Sequence, residues 1–232
     1  MPVNSFWSIP EKRKIVVGIL FVLILIFFLI LIVRSCRRSE GESPKKYLQG
    51  LANPVPENRF DAVLGLGRIN AKGTIPNLEN ILTSDPDERV RRAAAYSILV
   101  LDREKFLNLL NSPDQNIRTI GLETISRKEG EKAYPYLEKG LSDPLLTVRR
   151  TALILLAHIS GSEKTAVILR LAEKTTEDSS LRVEALSVLS REAGPEFLDR
   201  LKDLAGSGTD FTVRAAAVAA FKEVESRKEA GK

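Results

Sequence analysis

Cysteine, histidine, methionine and tryptophan are scarce in this chain of 232 residues, which contains one of each. The single cysteine, Cys36, cannot form an intrachain disulfide, so the fold must be held together by packing. A single histidine, His158, and the absence of a second cysteine exclude the common zinc and haem ligand sets. We therefore expect no metal and no cofactor.

Catalytic motifs and strand patterns are also missing from the sequence. It contains no glycine-rich phosphate loop before a helix, no nucleophile elbow and no His/Cys cluster. The alternation of β-branched and polar residues that marks a half-buried strand does not occur either. These absences predict an all-α protein that is not an enzyme.

The positive charge of the chain is concentrated near its start. There are 35 Lys and Arg against 30 Asp and Glu, a formal net charge of +5. Residues 1–14 and 34–46 hold the whole excess, so the sequence from residue 47 onward is electrically balanced. A nucleic-acid-binding domain normally carries a basic excess of its own. We therefore expect no nucleic-acid partner.

The chain does contain one short template that recurs six times. An arginine is followed by a small residue three positions later and by a bulky apolar residue seven positions later. A repeat with a period of about 31 residues is typical of a solenoid, in which like units stack side by side. The six arginines are Arg59, Arg91, Arg118, Arg149, Arg182 and Arg214.

Four of the repeats open with a polar residue followed by proline. Asn, Asp and Ser cap the free amides of a first helical turn and proline fits that turn, so each pair predicts a helix start. The spacing of the apolar residues that follow is helical, and a second, shorter apolar stretch completes a helical hairpin. We predict an α-solenoid of about six hairpins over residues 53–226, followed by a charged tail at 227–232. The pairs are Asn53-Pro54, Asp85-Pro86, Ser112-Pro113 and Asp143-Pro144.

The runs Asp85 to Ala94 and Asp143 to Ala152 both read Asp-Pro-x-x-x-Val-Arg-x-x-Ala. This motif resembles HEAT repeats, in particular the short PBS-lyase HEAT-like type. The resemblance implies stacked helical hairpins whose Asp and Arg residues, six apart, form a ladder between adjacent units. It assigns that structural role to Asp85, Asp143 and the six template arginines. The alternative is an arginine row that binds a phosphate or carboxylate ligand.

A long apolar run precedes the repeats. Residues 15–33 are uncharged and apolar, and as a helix they would reach about 28 Å, close to the hydrocarbon thickness of a bilayer. We therefore expect a transmembrane helix at 15–33 after a short tail at 1–14, with the lipid bilayer as a partner. Residues 34–52 would form a basic juxtamembrane segment and tether, which ends in a lead-in helix at Lys45 to Leu51. More Lys and Arg follow the run than precede it, which places the solenoid on the cytoplasmic side; a cleaved signal peptide is the alternative.

The second helices of the hairpins carry the candidate partner-binding residues, because that row usually lines the inside of a HEAT-like stack. Tyr134 and Tyr136 are the strongest candidates, since aromatic residues anchor protein interfaces disproportionately. We expect a membrane-anchored, non-catalytic scaffold or adaptor that binds another protein. An assembly subunit of a membrane complex and a bilin-lyase-like enzyme or ligand carrier are the alternatives. The other candidates are Asn77, Asn80, Lys105, Asn108, Lys139, Arg170, Lys174, Arg200 and Lys202.

Overall fold

The computed structural model describes residues 22–29, 43–161, 163–206 and 210–231. Regular secondary structure within these ranges is helical throughout. Short 3₁₀ turns at Lys72–Thr74, Gly130–Ala133 and Pro195–Phe197 lead into three of the helices. The helices from residue 44 onward are α1 Pro44–Gly50, α2 Pro56–Arg68, α3 Ile75–Ser84, α4 Glu88–Leu101, α5 Arg103–Leu109, α6 Gln115–Glu129, α7 Tyr134–Gly140, α8 Leu146–His158, α9 Glu163–Glu173, α10 Ser179–Glu192, α11 Leu198–Gly206 and α12 Phe211–Glu229.

These helices form five hairpins, from α2/α3 to α10/α11, with a single helix at each end. Each first helix packs on the first helix of the next hairpin, from α2 on α4 to α10 on α12. We call α2, α4, α6, α8, α10 and α12 the first-helix row, and α3, α5, α7, α9 and α11 the second-helix row. The predicted all-α fold of stacked hairpins is therefore confirmed, although the described residues form five complete hairpins where about six were predicted. α1 is the lead-in helix that was predicted before the repeats.

The template positions form the core between the two rows. The bulky positions Leu66, Ile98, Ile125 and Leu156 are completely buried, and each such side chain contributes about 2 kcal/mol by leaving water. The small positions are buried as well, and they lie where neighbouring helices approach most closely. The small residues are Ala62, Ala94, Gly121, Ala152, Ala185 and Ala217.

A glycine of the preceding helix faces the small template residue at two places. A Cβ atom added to Gly50 would lie 2.8 Å from the Cβ of Ala62, and one added to Gly140 would lie 2.9 Å from that of Ala152. Larger residues at these glycines would push the helices apart, because a closely packed core cannot absorb the overlap. The same contact at both places means that α1 packs on α2 as α7 packs on α8.

The polar–proline pairs lie just before the first helices rather than at their first position. Asp85 Oδ1 accepts a hydrogen bond of 2.9 Å from the backbone N–H of Asp87, and Asp87 then caps α4 by accepting from the N–H of Arg89. Asn53, Ser112 and Asp143 form the same turn ahead of α2, α6 and α8. The helices therefore begin two or three residues later than predicted, because the turn takes up the polar residue and the proline.

The predicted membrane localisation is contradicted. Among the helices that the structure describes, none is long and apolar enough to cross a bilayer. Of the predicted span 15–33, only residues 22–29 are described, as a helix whose side chains are 46–60% exposed. The other residues of that span lie outside the described residues. The prediction of a single-pass protein with its solenoid on the cytoplasmic side is therefore corrected.

Candidate functional site

Buried arginine–carboxylate pairs join successive hairpins. Arg59 of α2 donates from Nε and Nη2 to both oxygens of Asp85, at 2.7 and 2.8 Å. Arg118 of α6 binds Asp143 in the same way, at 2.7 and 2.9 Å. Two parallel N–H···O bonds of this kind are short, directional and about twice as strong as neutral hydrogen bonds. The template arginine of one hairpin thus holds the turn that opens the next.

Within one repeat, the arginine bonds to the backbone of the aspartate six positions earlier, and not to its side chain. Arg91 donates from Nη1 to the backbone carbonyl of Asp85 at 2.7 Å, and Arg149 donates to that of Asp143 at 2.9 Å. The carboxylates of the two aspartates point instead to the arginine of the preceding repeat. Each aspartate therefore contacts two ladder arginines, one through its side chain and one through its carbonyl oxygen.

The ladder changes composition toward the C-terminal end. Arg149 donates from Nε and Nη2 to Oε1 of Glu177, at 3.0 and 2.6 Å, and Glu177 is almost fully buried. Arg182 donates to the backbone carbonyl of Ala172 at 2.8 Å. Sequence reasoning missed Glu177, which lies one residue before Asp178, the residue that caps α10.

The buried pairs also set the charge state of their carboxyl groups. The hydrogen bond from Arg59 lowers the pKa of Asp85 below its ordinary value of 3.8, although burial acts in the opposite direction. Burial raises the pKa of Asp143, but the hydrogen bond from Arg118, the backbone N–H of Leu145 and the charges of Arg118 and Arg149 leave it lowered overall. Both aspartates are therefore charged at neutral pH, as the pairing requires.

The candidate partner-binding residues lie on the second-helix row, where several already bond to residues of neighbouring helices. Arg170 on α9 bonds Glu138 on α7 at 2.9 Å. Arg200 on α11 bonds Glu173 on α9, and its Nε lies 2.7 Å from Oε1. These bonds run between second helices of successive hairpins, so this part of the row is a connected polar surface.

The remaining candidates divide between bonded and exposed side chains. Lys139 donates to Oδ1 of Asn111 at 2.8 Å, and Lys174 donates to Glu177 at 3.3 Å. Tyr134 is half-buried, and burial raises the pKa of its hydroxyl. The exposed candidates are Asn77, Asn80, Lys105, Asn108 and Lys202.

A groove of about 610 Å³ lies between α5, α7 and the turn that leads into α8. Leu107, Leu110, Pro135 and Tyr136 supply much of its apolar lining, while Lys139 is among its polar lining residues. The groove therefore brings Tyr136 and Lys139 together, whereas the other candidates lie outside it.

Tyr136 is held at the groove by Arg103. The guanidinium of Arg103 lies 5.7 Å from the centre of the tyrosine ring and donates to its hydroxyl at 3.1 Å. Arg103 also forms an ion pair of 2.7 Å with Glu129. A cation over an aromatic face restrains the ring, so Tyr136 presents a fixed, half-exposed edge.

A second surface, which sequence reasoning missed, lies on the first-helix row. Phe60, Leu64 and Tyr96 line a pocket of about 380 Å³ together with Arg127. The ammonium of Lys128 lies 5.3 Å from the centre of the Tyr96 ring. Tyr96 was not predicted, because its place on a first helix set it apart from the candidate residues of the second helices.

Comparisons with known proteins match this architecture. The chain matches the family described as HEAT repeats over residues 44–99 and 137–222, and it belongs to that family. No curated protein matches the chain in sequence.

Three solved structures are similar to this chain. Human deoxyhypusine hydroxylase in complex with glycerol is 17% identical, with 81% of this chain and 75% of that chain covered and a TM-score of 0.44. An engineered protein is 19% identical, with 79% and 96% covered and a TM-score of 0.41. The complex of CpcE and CpcF of phycocyanin lyase from Nostoc sp. PCC7120 is 15% identical, with 79% and 94% covered and a TM-score of 0.32.

These similarities contradict the prediction that the chain is not an enzyme. Deoxyhypusine hydroxylase is an enzyme, and CpcE and CpcF are parts of a lyase. The prediction is therefore withdrawn. The similarities assign no particular activity to this chain.

Proposed function

We propose that this HEAT-repeat chain is a protein-binding module whose second-helix row receives a segment of another protein. The observation that carries the proposal is the groove between α5 and α7. It combines an apolar lining, the fixed edge of Tyr136 and the hydrogen-bonding groups of Lys139 and Asn111. Interfaces typically use such an arrangement of an aromatic anchor, apolar surroundings and a few polar groups.

The groove fits an apolar side chain carried on a peptide. Leu107, Leu110 and Pro135 line it beside the tyrosine. Lys139 and Asn111 are hydrogen-bonded to each other at its edge, where they can exchange that bond for one to a peptide carbonyl. An arriving side chain would cover apolar surface while the peptide backbone keeps its hydrogen bonds.

Selection from a displayed peptide library against the full chain tests this function. We expect selected peptides to share one apolar anchor position and to bind Tyr136→Ala at least about tenfold more weakly, the loss of one aromatic anchor. Tyr96→Ala is the matched control, because Tyr96 is also a surface tyrosine under a cation, but on the other row. Peptides that bind both variants as well as they bind the original chain would refute the proposal.

A further inference from the structure

Arg91 is fixed in place in the same way as the paired ladder arginines. Its Nη1 donates to the backbone carbonyls of Asp85 and Pro86, at 2.7 and 3.2 Å. Arg59 and Arg118 make the same two bonds to the carbonyls that precede their own helices. The remaining edge of each guanidinium, Nε and Nη2, is the edge that binds a carboxylate of the next repeat in Arg59 and Arg118.

In the next repeat, a serine occupies the position at which Arg59 and Arg118 find their carboxylate. Ser112 precedes a proline, as Asp85 and Asp143 do. Its Oγ accepts the backbone N–H of Asp114 at 3.2 Å, which is the role of Oδ1 in Asp85. The second carboxylate oxygen has no counterpart in serine. In the described part of the chain, no acceptor bonds Nε or Nη2 of Arg91.

The unbonded edge of Arg91 is open to solvent. Arg91 is half-buried, yet no buried side-chain nitrogen or oxygen atom of the described residues lacks a hydrogen-bond partner. Nε and Nη2 of Arg91 therefore cannot be sealed inside the junction, and they reach water. By contrast, the side chains of Arg59 and Asp85 are only 10% and 2% exposed.

We infer that this open position accepts the carboxylate of an Asp or Glu side chain from the protein partner. The inference rests on the proposed function, because Ser112 also lines the groove that would hold the partner. The preference for a carboxylate follows from the chain itself, which places one against the same edge of Arg59, Arg118 and Arg149. A bidentate fork matches a planar carboxylate in geometry and charge. The partner segment is thus expected to combine an apolar side chain with an acidic one.

The test uses a probe peptide that copies the chain's own carboxylate-bearing turn. The probe is acetyl-Leu-Ser-Asp-Pro-Leu-amide, which reproduces Leu141–Leu145, and the control carries Asn in place of Asp. Arginine Nε–H resonances of the full chain are followed by NMR during titration. We expect the Arg91 resonance to move with the aspartyl probe and not with the control. The resonances of Arg59 and Arg118, whose Nε–H groups are already bonded, should stay in place.

The variant Ser112→Asp supplies the carboxylate from within the chain and should compete with the probe. We expect it to weaken the probe's effect on Arg91 at least about tenfold, whereas Ser112→Asn should leave it unchanged. An Arg91 resonance that ignores the probe, or that responds equally in Ser112→Asp, would overturn the inference. Neither result bears on the proposed function, which stands or falls on Tyr136→Ala with the selected peptides. Conversely, if the selected peptides bind Tyr136→Ala as well as they bind the original chain while the Arg91 resonance still moves with the aspartyl probe, the groove is refuted and the acidic site remains.

Discussion

The junction between the first and second hairpins and the junction between the second and third use the same arginine differently. At the first junction, Arg59 is bonded to its own repeat and to Asp85 of the next one. At the second, the bonds that Arg91 makes within the described residues all go to its own repeat, because Ser112 replaces the carboxylate. The comparison shows that the template arginine has two separable tasks: it fixes a turn, and it joins neighbouring hairpins.

The second junction is joined by ion pairs nearer the surface. Arg92 on α4 pairs with Glu123 on α6, and Arg103 on α5 pairs with Glu129 on α6. Both pairs are more exposed than the buried pair at the first junction. Water screens such pairs, so each contributes less than a sealed one. We therefore expect the second junction to depend less on any single charge.

The largest effect is expected from breaking the sealed pair. Asp85→Asn keeps an oxygen that can accept the N–H of Asp87 but leaves Arg59 buried without a counter-charge. Removing one partner of a buried pair is costly, and we expect the free energy of unfolding to fall by about 2 to 3 kcal/mol. Urea unfolding followed by circular dichroism measures the change. An asparagine suits this turn, since Asn53 occupies the equivalent position before α2.

Glu104→Gln provides the control for this measurement, because Glu104 is an exposed carboxylate on α5. It should leave the urea midpoint unchanged. A loss below about 0.5 kcal/mol in Asp85→Asn would mean that the buried pair does not hold the first junction, since such a loss is typical of ordinary surface changes.

Low pH should remove the stabilisation by the Arg59–Asp85 pair without a mutation. Because the Arg59 hydrogen bond lowers the folded-state pKa of Asp85, the stabilisation is present above the ordinary value of 3.8 and is lost as the pH falls through the lower folded value. The stability difference between the original chain and Asp85→Asn should therefore be constant above about pH 5 and shrink below pH 4. Urea midpoints measured from pH 3 to pH 7 check this. A difference that persists unchanged at the acid end would show that the lost charge is not its cause.

A smaller, opposite effect is expected from completing the second junction. Ser112→Asp gives Arg91 a carboxylate in the position that Asp85 occupies for Arg59. It should stabilise the chain by about 1 to 2 kcal/mol, between the net contribution of a typical hydrogen bond and that of a strong one to a charged group. Ser112→Asn tests whether the charge is responsible. The gain should vanish when Arg91→Gln is added, so a double-mutant cycle measures the pair directly. An equal gain in the presence and absence of Arg91 would contradict the assignment.

Sequence alone could predict the hairpins because their causes are local. The helical spacing of Val148, Ala152 and Leu156 and the small residue at the close approach act within one repeat. The partners of the arginines could not be predicted, because they depend on how one repeat lies on the next. Arg59 binds the carboxylate of Asp85, 26 positions away, and contacts Asn53, the residue six before it, through the backbone carbonyl.

The candidate site was predictable only in part, for a related reason. Tyr136 and Lys139 could be chosen from their places on a second helix. The groove beside them could not be predicted, because residues of α5, α7 and the turn before α8 come together only in the stacked repeats. The pocket around Tyr96 likewise requires residues of three neighbouring first helices, α2, α4 and α6.

The smallest effect is expected from a second ion pair at the first junction. Arg89 bonds Glu57 at 3.0 Å, and both side chains are more than 60% exposed. The Glu57 carboxylate and the Asp85 carboxylate thus link the same two hairpins, one in water and one sealed from it. Because solvent screens the exposed pair and ordering its side chains costs entropy, Glu57→Gln should produce no measurable shift of the urea midpoint. A loss comparable to that of Asp85→Asn would mean that burial does not separate the two pairs. There would then be no reason to expect Arg91, at the second junction, to bind a carboxylate of a partner protein more strongly than a surface arginine does.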